Sequence, residues 1–165
     1  MTDISLPTRV MPHPLNPLRL AWRARNAWHW VARPLTMGVR AIILDGDRVL
    51  LIRHSYVAGW HLPGGGVNKG ETLVEAMKRE VREEVGLVVE SDVQPLGMYA
   101  RFRHGASDHV AVFVARAWSG TPRTDGFEIT DVGFFPLDRL PEDTTASTLK
   151  RLAEYRGLAP LAERW

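Results

Sequence analysis

The segment that most restricts this 165-residue chain is Gly64-Gly65-Gly66-Val67-Asn68-Lys69-Gly70-Glu71 and the helix that follows it. Its spacing predicts a helix over 72–85, closed by Gly86. Val74, Met77, Val81 and Val85 form one apolar stripe, and Glu75, Lys78 and Arg82 the solvated side. Beside the apolar stripe, Glu80, Glu83 and Glu84 fall within roughly 100° of one another at helical spacing. Like charges in that arrangement repel, and they lie near the helix C-terminus, where the backbone dipole disfavours anions. A solvated charged face is the ordinary reading of such a run. The preceding glycines point further, because they permit close backbone approach and leave N–H and C=O groups free for a ligand. A divalent cation would offset both electrostatic conflicts, and clustered carboxylates suit Mg²⁺ or Mn²⁺.

The flanks read as strands. Residues 38–44 and 48–53 are rich in Val, Ile and Leu, and Asp45-Gly46-Asp47 between them predicts a hairpin. Further strands are expected at 96–103, 109–118 and 131–135. A closing helix is expected at 145–156, with Thr144 or Thr145 as N-cap. Strands and helices mix without βαβ alternation, which predicts an α+β fold with a mixed sheet rather than a doubly wound one. The chain has no cysteine, so disulfides, thiolate metal sites and thiol catalysis are excluded.

Residues 1–36 form a separate N-terminal extension, and residues 37–165 the main domain. The extension carries five arginines against Asp3, a charge of +4, while the remainder holds 16 basic and 18 acidic residues, or −2. A body of that charge is not expected to bind nucleic acid. Prolines at 7, 12, 14 and 17 make residues 1–17 irregular. Residues 18–33 read as an amphipathic helix, with Leu20, Ala24, Ala27, Trp28 and Val31 opposite Arg19, Arg23, Asn26 and Arg33. The first reading is a helix packed on its own domain or on a second copy in a homodimer. A membrane-surface helix with interfacial Trp22, Trp28 and Trp30, and an organelle-targeting peptide, rank behind it. No secretory signal or spanning segment is read, so the expected location is cytoplasmic.

The combined spacing resembles the Nudix box: Gly65, Glu71, Arg79-Glu80, an aliphatic Val81, Glu83-Glu84, Gly86 and an aliphatic Leu87, with every fixed position filled. Trp60-His61-Leu62-Pro63 before it and Phe135-Pro136-Leu137-Asp138 late in the chain are also similar to that family, and the resemblance covers about residues 37–140. It implies a mixed β-sheet sandwiched between helices, and a metal-dependent hydrolase acting on nucleoside diphosphates linked to another group. By position, Glu80 and Glu84 are the implied metal ligands, Glu83 a third ligand or ligand-positioner, and the Gly64 carbonyl a further ligand. Glu71 is implied to support Arg79 and the loop. The implied general base is Glu128, with Asp125 and Asp131 as rivals. The alternative in a different class is a non-catalytic module that binds a nucleotide as a sensor or scaffold. Isomerase chemistry on isoprenoid diphosphates is disfavoured by the missing cysteine.

Substrate contacts are less constrained. Arg40, Arg53, Arg101 and Arg103 are candidates for phosphate or sugar contacts, since a guanidinium binds phosphate bidentately. Tyr56, Trp60 and Phe102 are candidates to stack on a base. Each also has an ordinary reading as a core or surface residue. The expected partner is a small nucleotide.

Overall fold

The computed structural model describes residues 35–90, 92–103, 106–124 and 126–165, leaving out the side chains of residues 103, 106 and 107. The expected helix over 18–33 lies outside the described residues. The elements run β1 (Leu35–Asp45), β2 (Arg48–His54), α1 (Leu73–Val85), β3 (Val88–Val89), β4 (Val93–Arg103), β5 (Ala106–Ala115), β6 (Trp118–Ser119), β7 (Ile129–Pro136) and α2 (Ala146–Tyr155). Five strands form one mixed sheet in the order β4-β5-β1-β2-β7. β1 and β5 are parallel, and every other pair in it is antiparallel.

β1 is apolar on both sides because both faces of the sheet are covered. Val39, Ala41 and Ile43 join Leu50 and Ile52 beneath α1, whose Ala76, Met77, Val81 and Val85 complete that core. Ile42 and Leu44 join Val49, Leu51, Tyr99, Val112 and Val114 on the opposite face, against Leu152 of α2. The sheet is therefore sandwiched between helices, as the resemblance implied.

The first hairpin positions the site. β1 and β2 pair directly at only two positions, Leu44 with Val49 and Asp45 with Arg48. Beyond them the strands part, and the loop over 61–67 fills the gap. Ile52 and His61 exchange two backbone hydrogen bonds of 2.9 Å, and the Ala41, Val39 and Val67 amides donate to the carbonyls of Pro63, Gly65 and Met37. The glycine loop is thus held on both sides by strand backbone.

Some expectations need correction. Val74 is 37% exposed, so the buried stripe of α1 is Ala76, Met77, Val81 and Val85. Position 74 lies in the first turn of the helix. β4 starts at Val93 rather than at residue 96, and β5 covers Ala106–Ala115 rather than 109–118. The two-residue strands β3 and β6 pair with each other and were not expected; a segment that short has no readable periodicity. Thr145 takes the N-cap position of α2 without a capping hydrogen bond; its hydroxyl lies 3.2 Å from the Trp60 carbonyl and 2.9 Å from the Thr148 hydroxyl.

Candidate active site

α1 is set by its ends. The Thr72 hydroxyl accepts from the Glu75 amide at 3.2 Å, and the Glu75 carboxylate accepts from the Thr72 amide at 2.8 Å, a reciprocal capping box. Gly86 ends the helix at φ 71°, and its amide donates to the Arg82 carbonyl. The middle of the helix is tied back to the loop through Arg79. The Arg79 guanidinium donates to both oxygens of Glu71 at 2.6 and 2.9 Å, to Glu80 at 2.7 Å, to Glu83 at 3.1 Å and to the Gly66 carbonyl at 2.9 Å. Glu71 accepts in addition from the Asn68 amide at 2.8 Å. Held by the guanidinium, its carboxyl falls to about 2.

Glu84 is the buried member of the acidic group, 7% exposed. Its carboxylate accepts from the Gly64 amide at 2.7 Å. Burial nevertheless pushes its carboxyl up to about 8, with the negative fields of Glu80 and Glu128 in the same direction, against the Gly64 amide and the positive field of Arg40. Glu80 lies directly on Gly65: a Cβ at that position would meet the Glu80 carboxylate at 2.5 Å. Gly64 is as constrained. Its φ is +132°, and a Cβ there would lie 2.2 Å from the Val39 carbonyl oxygen.

The sequence candidates separate into groups. Glu80, Glu84, Glu128, Arg40 and Tyr56 share one electrostatic neighbourhood. Tyr56 is 69% exposed, and its hydroxyl donates to Glu128 at 2.9 Å. The backbone reinforces that contact, since the Ser55 amide donates to the Glu128 carbonyl at 2.9 Å. Glu83 is turned toward Arg79 and solvent. Of the rivals to Glu128, Asp131 accepts from the Val132 amide and Asp125 lies outside the described residues. Arg53 and Trp60 form a separate group: Arg53 is paired with Asp143 at 2.7 Å and lies over the Trp60 ring. Trp60 is 6% exposed, packed edge-on against Phe135 in the core. Phe102 is exposed, with the Arg164 guanidinium over its ring. Arg101 donates to Asp108 through Nε at 2.7 Å and also through Nη2, and Thr36 donates to the same carboxylate at 3.1 Å. The side chain of Arg103 lies outside the described residues.

Sequence reasoning missed Asp108 and Thr36. They line a cavity of about 300 Å³ with Arg40, Gly65, Gly66, Arg101 and Val110. No local motif marks them, because only the pairing of β1, β4 and β5 brings them together.

The donor set fits a divalent cation. Glu80 and Glu84 sit one helical turn apart beside the glycine loop, Glu80 against Gly65 and Glu84 buried on the Gly64 amide. Among the described residues, no three carboxylate or imidazole side chains converge on one point. Arg79 donates to both Glu80 and Glu83, and of the two Glu80 lies against Gly65 while Glu83 is turned to solvent.

The chain is similar to known proteins in sequence and in fold. The family described as NUDIX domain matches residues 34–155. The mouse 8-oxo-dGDP phosphatase NUDT18 is 36% identical over 123 residues, which cover 70% of this chain and 37% of that protein. The RNA pyrophosphohydrolase of Legionella pneumophila is 43% identical over 68 residues, covering 41% of this chain and 38% of that protein. The chain thus spans well under half the length of these relatives. The crystal structure of a MutT NUDIX hydrolase from Burkholderia pseudomallei superposes with a TM-score of 0.67 at 30% identity, covering 74% of this chain and 98% of that one.

Proposed function

The chain belongs to the Nudix hydrolase family, and from that premise we propose that it is a metal-dependent pyrophosphohydrolase. Its substrate is a nucleoside di- or triphosphate derivative. The observation that carries this reading is the buried Glu84, fixed by the Gly64 amide beside Glu80, with Glu128 close enough to perturb it.

Glu80 and Glu84 hold the cation, Mg²⁺ or Mn²⁺, with the Gly64 carbonyl as a backbone ligand and Glu83 as the residue that keeps Arg79 in place. When bound, the cation neutralises phosphate oxygens and makes a water more acidic. Arg79 fixes the glycine loop against α1 through Glu71 and the Gly66 carbonyl. Glu128 accepts the proton of the attacking water. The water oxygen bonds to phosphorus, the bridging P–O bond breaks, and its electron pair leaves on the departing phosphate oxygen. No protein nucleophile is required, in keeping with the absence of cysteine.

Oxidised guanine nucleotides come first among the substrates to try, because one relative is named an 8-oxo-dGDP phosphatase. A small nucleotide, rather than a nucleic acid or a membrane surface, is the partner in this reading, and the cytoplasm its place. Among the described residues no helix is long and apolar enough to cross a membrane. Packing on its own domain or on a second copy is the role proposed for the segment over 18–33.

The test is a hydrolysis screen with Mg²⁺ or Mn²⁺ over nucleoside di- and triphosphates, 8-oxo-guanine nucleotides, nucleotide sugars, ADP-ribose and dinucleoside polyphosphates. Metal-dependent release of a nucleotide product from at least one of them is expected. Nucleotide binding with no cleavage across the panel would overturn the enzymatic reading.

A further inference from the structure

Glu128 stands just before β7, and the pairing of β7 with β2 decides what it meets. The two strands pair in step from Arg48 with Pro136 to Arg53 with Asp131. There β7 carries an extra residue, Thr130, and His54 pairs with Ile129. The Thr130 hydroxyl donates to the Arg53 carbonyl at 3.3 Å and pins this bulge. A bulge re-aims the side chains beyond it. Here it puts Glu128, rather than Ile129, opposite Ser55, whose amide donates to the Glu128 carbonyl at 2.9 Å. The next residue, Tyr56, then reaches the carboxylate: its hydroxyl donates to Glu128 Oε1 at 2.9 Å.

Backbone pairing alone does not aim a glutamate. Glu128 is exposed, and a long side chain at the surface spreads over several rotamers unless something holds its end. A tyrosine is stiffer, and this one is braced. Its ring centroid lies 5.0 Å from that of the buried His54, which lies 5.4 Å from His61 in an edge contact. His61 is fixed in turn by its backbone hydrogen bonds to Ile52. The rings of His61, His54 and Tyr56 thus run in a row from β2 to the Glu128 carboxylate. Desolvation and the bond to Glu128 push the Tyr56 hydroxyl up to about 12, so it stays a donor at neutral pH. The charges of Glu84 and Arg40 also act on that hydroxyl, which sets the pair near Glu84.

We propose that Tyr56 is a positioning residue for hydrolysis: rather than stacking on a nucleobase, it holds the Glu128 carboxylate in the orientation that takes the proton of the attacking water. This rests on the hydrolase reading above, with Glu128 as the base. Tyr56 keeps its own proton throughout. The O–H bond of the water breaks, its proton passes to Glu128, and the oxygen bonds to phosphorus. A reacting group displaced by about 1 Å loses on the order of a hundredfold in rate. Substrate affinity, which does not use the phenol, is left as it was.

The test is steady-state hydrolysis with Mg²⁺ of 8-oxo-dGDP, or of whichever compound of the panel above is cleaved fastest. The proteins are the wild type, Tyr56→Phe, Tyr56→Leu, Glu128→Gln and the double variant Tyr56→Phe/Glu128→Gln. Tyr56→Phe keeps the ring and loses the hydroxyl. It is expected to lower kcat by about ten- to a hundredfold with KM unchanged, and Tyr56→Leu to do the same. In the Glu128→Gln background, Tyr56→Phe is expected to change kcat by less than about twofold, because no base is left to position. Tyr56 is 69% exposed, so the melting temperature of Tyr56→Phe is expected to stay within about 4 °C of the wild type. A wild-type kcat in Tyr56→Phe overturns the proposal. So does a raised KM confined to Tyr56→Leu, the mark of a stacking ring, or an undiminished effect of Tyr56→Phe in the Glu128→Gln background. A larger fall in melting temperature with kcat and KM both impaired would make Tyr56 a structural residue and overturns it too. A wild type that hydrolyses and is indifferent to Tyr56→Phe defeats this inference alone, whereas a wild type that cleaves nothing on the panel defeats the enzymatic reading and this inference with it.

Discussion

Two adjacent glycines do different jobs, and substitution separates them. At Gly64 an added Cβ meets the Val39 carbonyl, which is backbone, and the φ of +132° is already costly for any side chain. Gly64→Ala is therefore expected to lower stability by several kcal/mol, read by thermal unfolding. At Gly65 the added Cβ meets only the end of Glu80. That side chain can swing aside, so Gly65→Ala is expected to keep most of its stability and lose at least about tenfold in hydrolysis, as a misplaced metal ligand does. Equal effects of the two substitutions on unfolding would contradict this division. The glycines were legible in the sequence as a loop; which of them faces backbone and which faces carboxylate was not.

Glu84 carries a pH signature in the metal-free protein. Burial pushes its carboxyl up to about 8 when folded, from an ordinary value of 4.5. Between those values the folded state keeps a proton that the unfolded state has released. Its contribution to stability is therefore present in full below about pH 4.5 and is lost as pH rises toward 8, by a few kcal/mol in all. In EDTA the melting temperature is expected to fall from pH 5 to pH 8, and Glu84→Gln to flatten that slope. A wild-type slope that survives in Glu84→Gln would contradict the assignment. The sequence showed three carboxylates on one stripe, but not that one is buried and another held by arginine. Burial follows from the glycine loop folding over Glu84, a long-range event that helical periodicity does not encode.

At the scale of elements, α1 was readable because its signals are local, an apolar stripe and a closing glycine; the capping box of Thr72 and Glu75 is equally local and was not read. Thr72→Ala is expected to cost about 1 kcal/mol in chemical denaturation by removing the capping box. α2 holds a feature that no local signal announced. Arg151 and Glu154 pair at 2.8 Å with both side chains fully buried. Glu154 also accepts from the Tyr99 hydroxyl at 2.8 Å and the Ala162 amide at 3.1 Å, and the Arg151 guanidinium lies 3.7 Å from the Tyr99 ring centroid. The group ties α2 to β4 and to residues 162–165, whose backbone also bonds to Ala100. In sequence it reads as an ordinary exposed i,i+3 pair. Arg151→Met strands a buried carboxylate and is expected to cost about 3–5 kcal/mol. A loss under 1 kcal/mol would show that Glu154 finds water or another partner.

For the whole molecule, strand content and the mixed sheet followed from apolar runs and turn residues, and the hairpin at Gly46 appeared where expected. Its early parting did not, because the apolar pattern of β1 and β2 is the same whether they pair for two residues or seven. That parting lets the loop over 61–67 enter the sheet, and it brings Arg40, Tyr56, Glu80, Glu84 and Glu128 together from distant parts of the chain. Trp60 shows the converse: its neighbours in sequence lead into the site, while its ring fills the core beside Phe135. The measurement that bears most directly on this account is the hydrolysis rate of the best substrate with Mg²⁺, compared between the wild-type protein and Glu84→Gln, each repeated in EDTA. The account predicts cleavage that EDTA abolishes and that Glu84→Gln lowers by about a hundredfold or more. Cleavage at the wild-type rate by Glu84→Gln, or in EDTA, would contradict it.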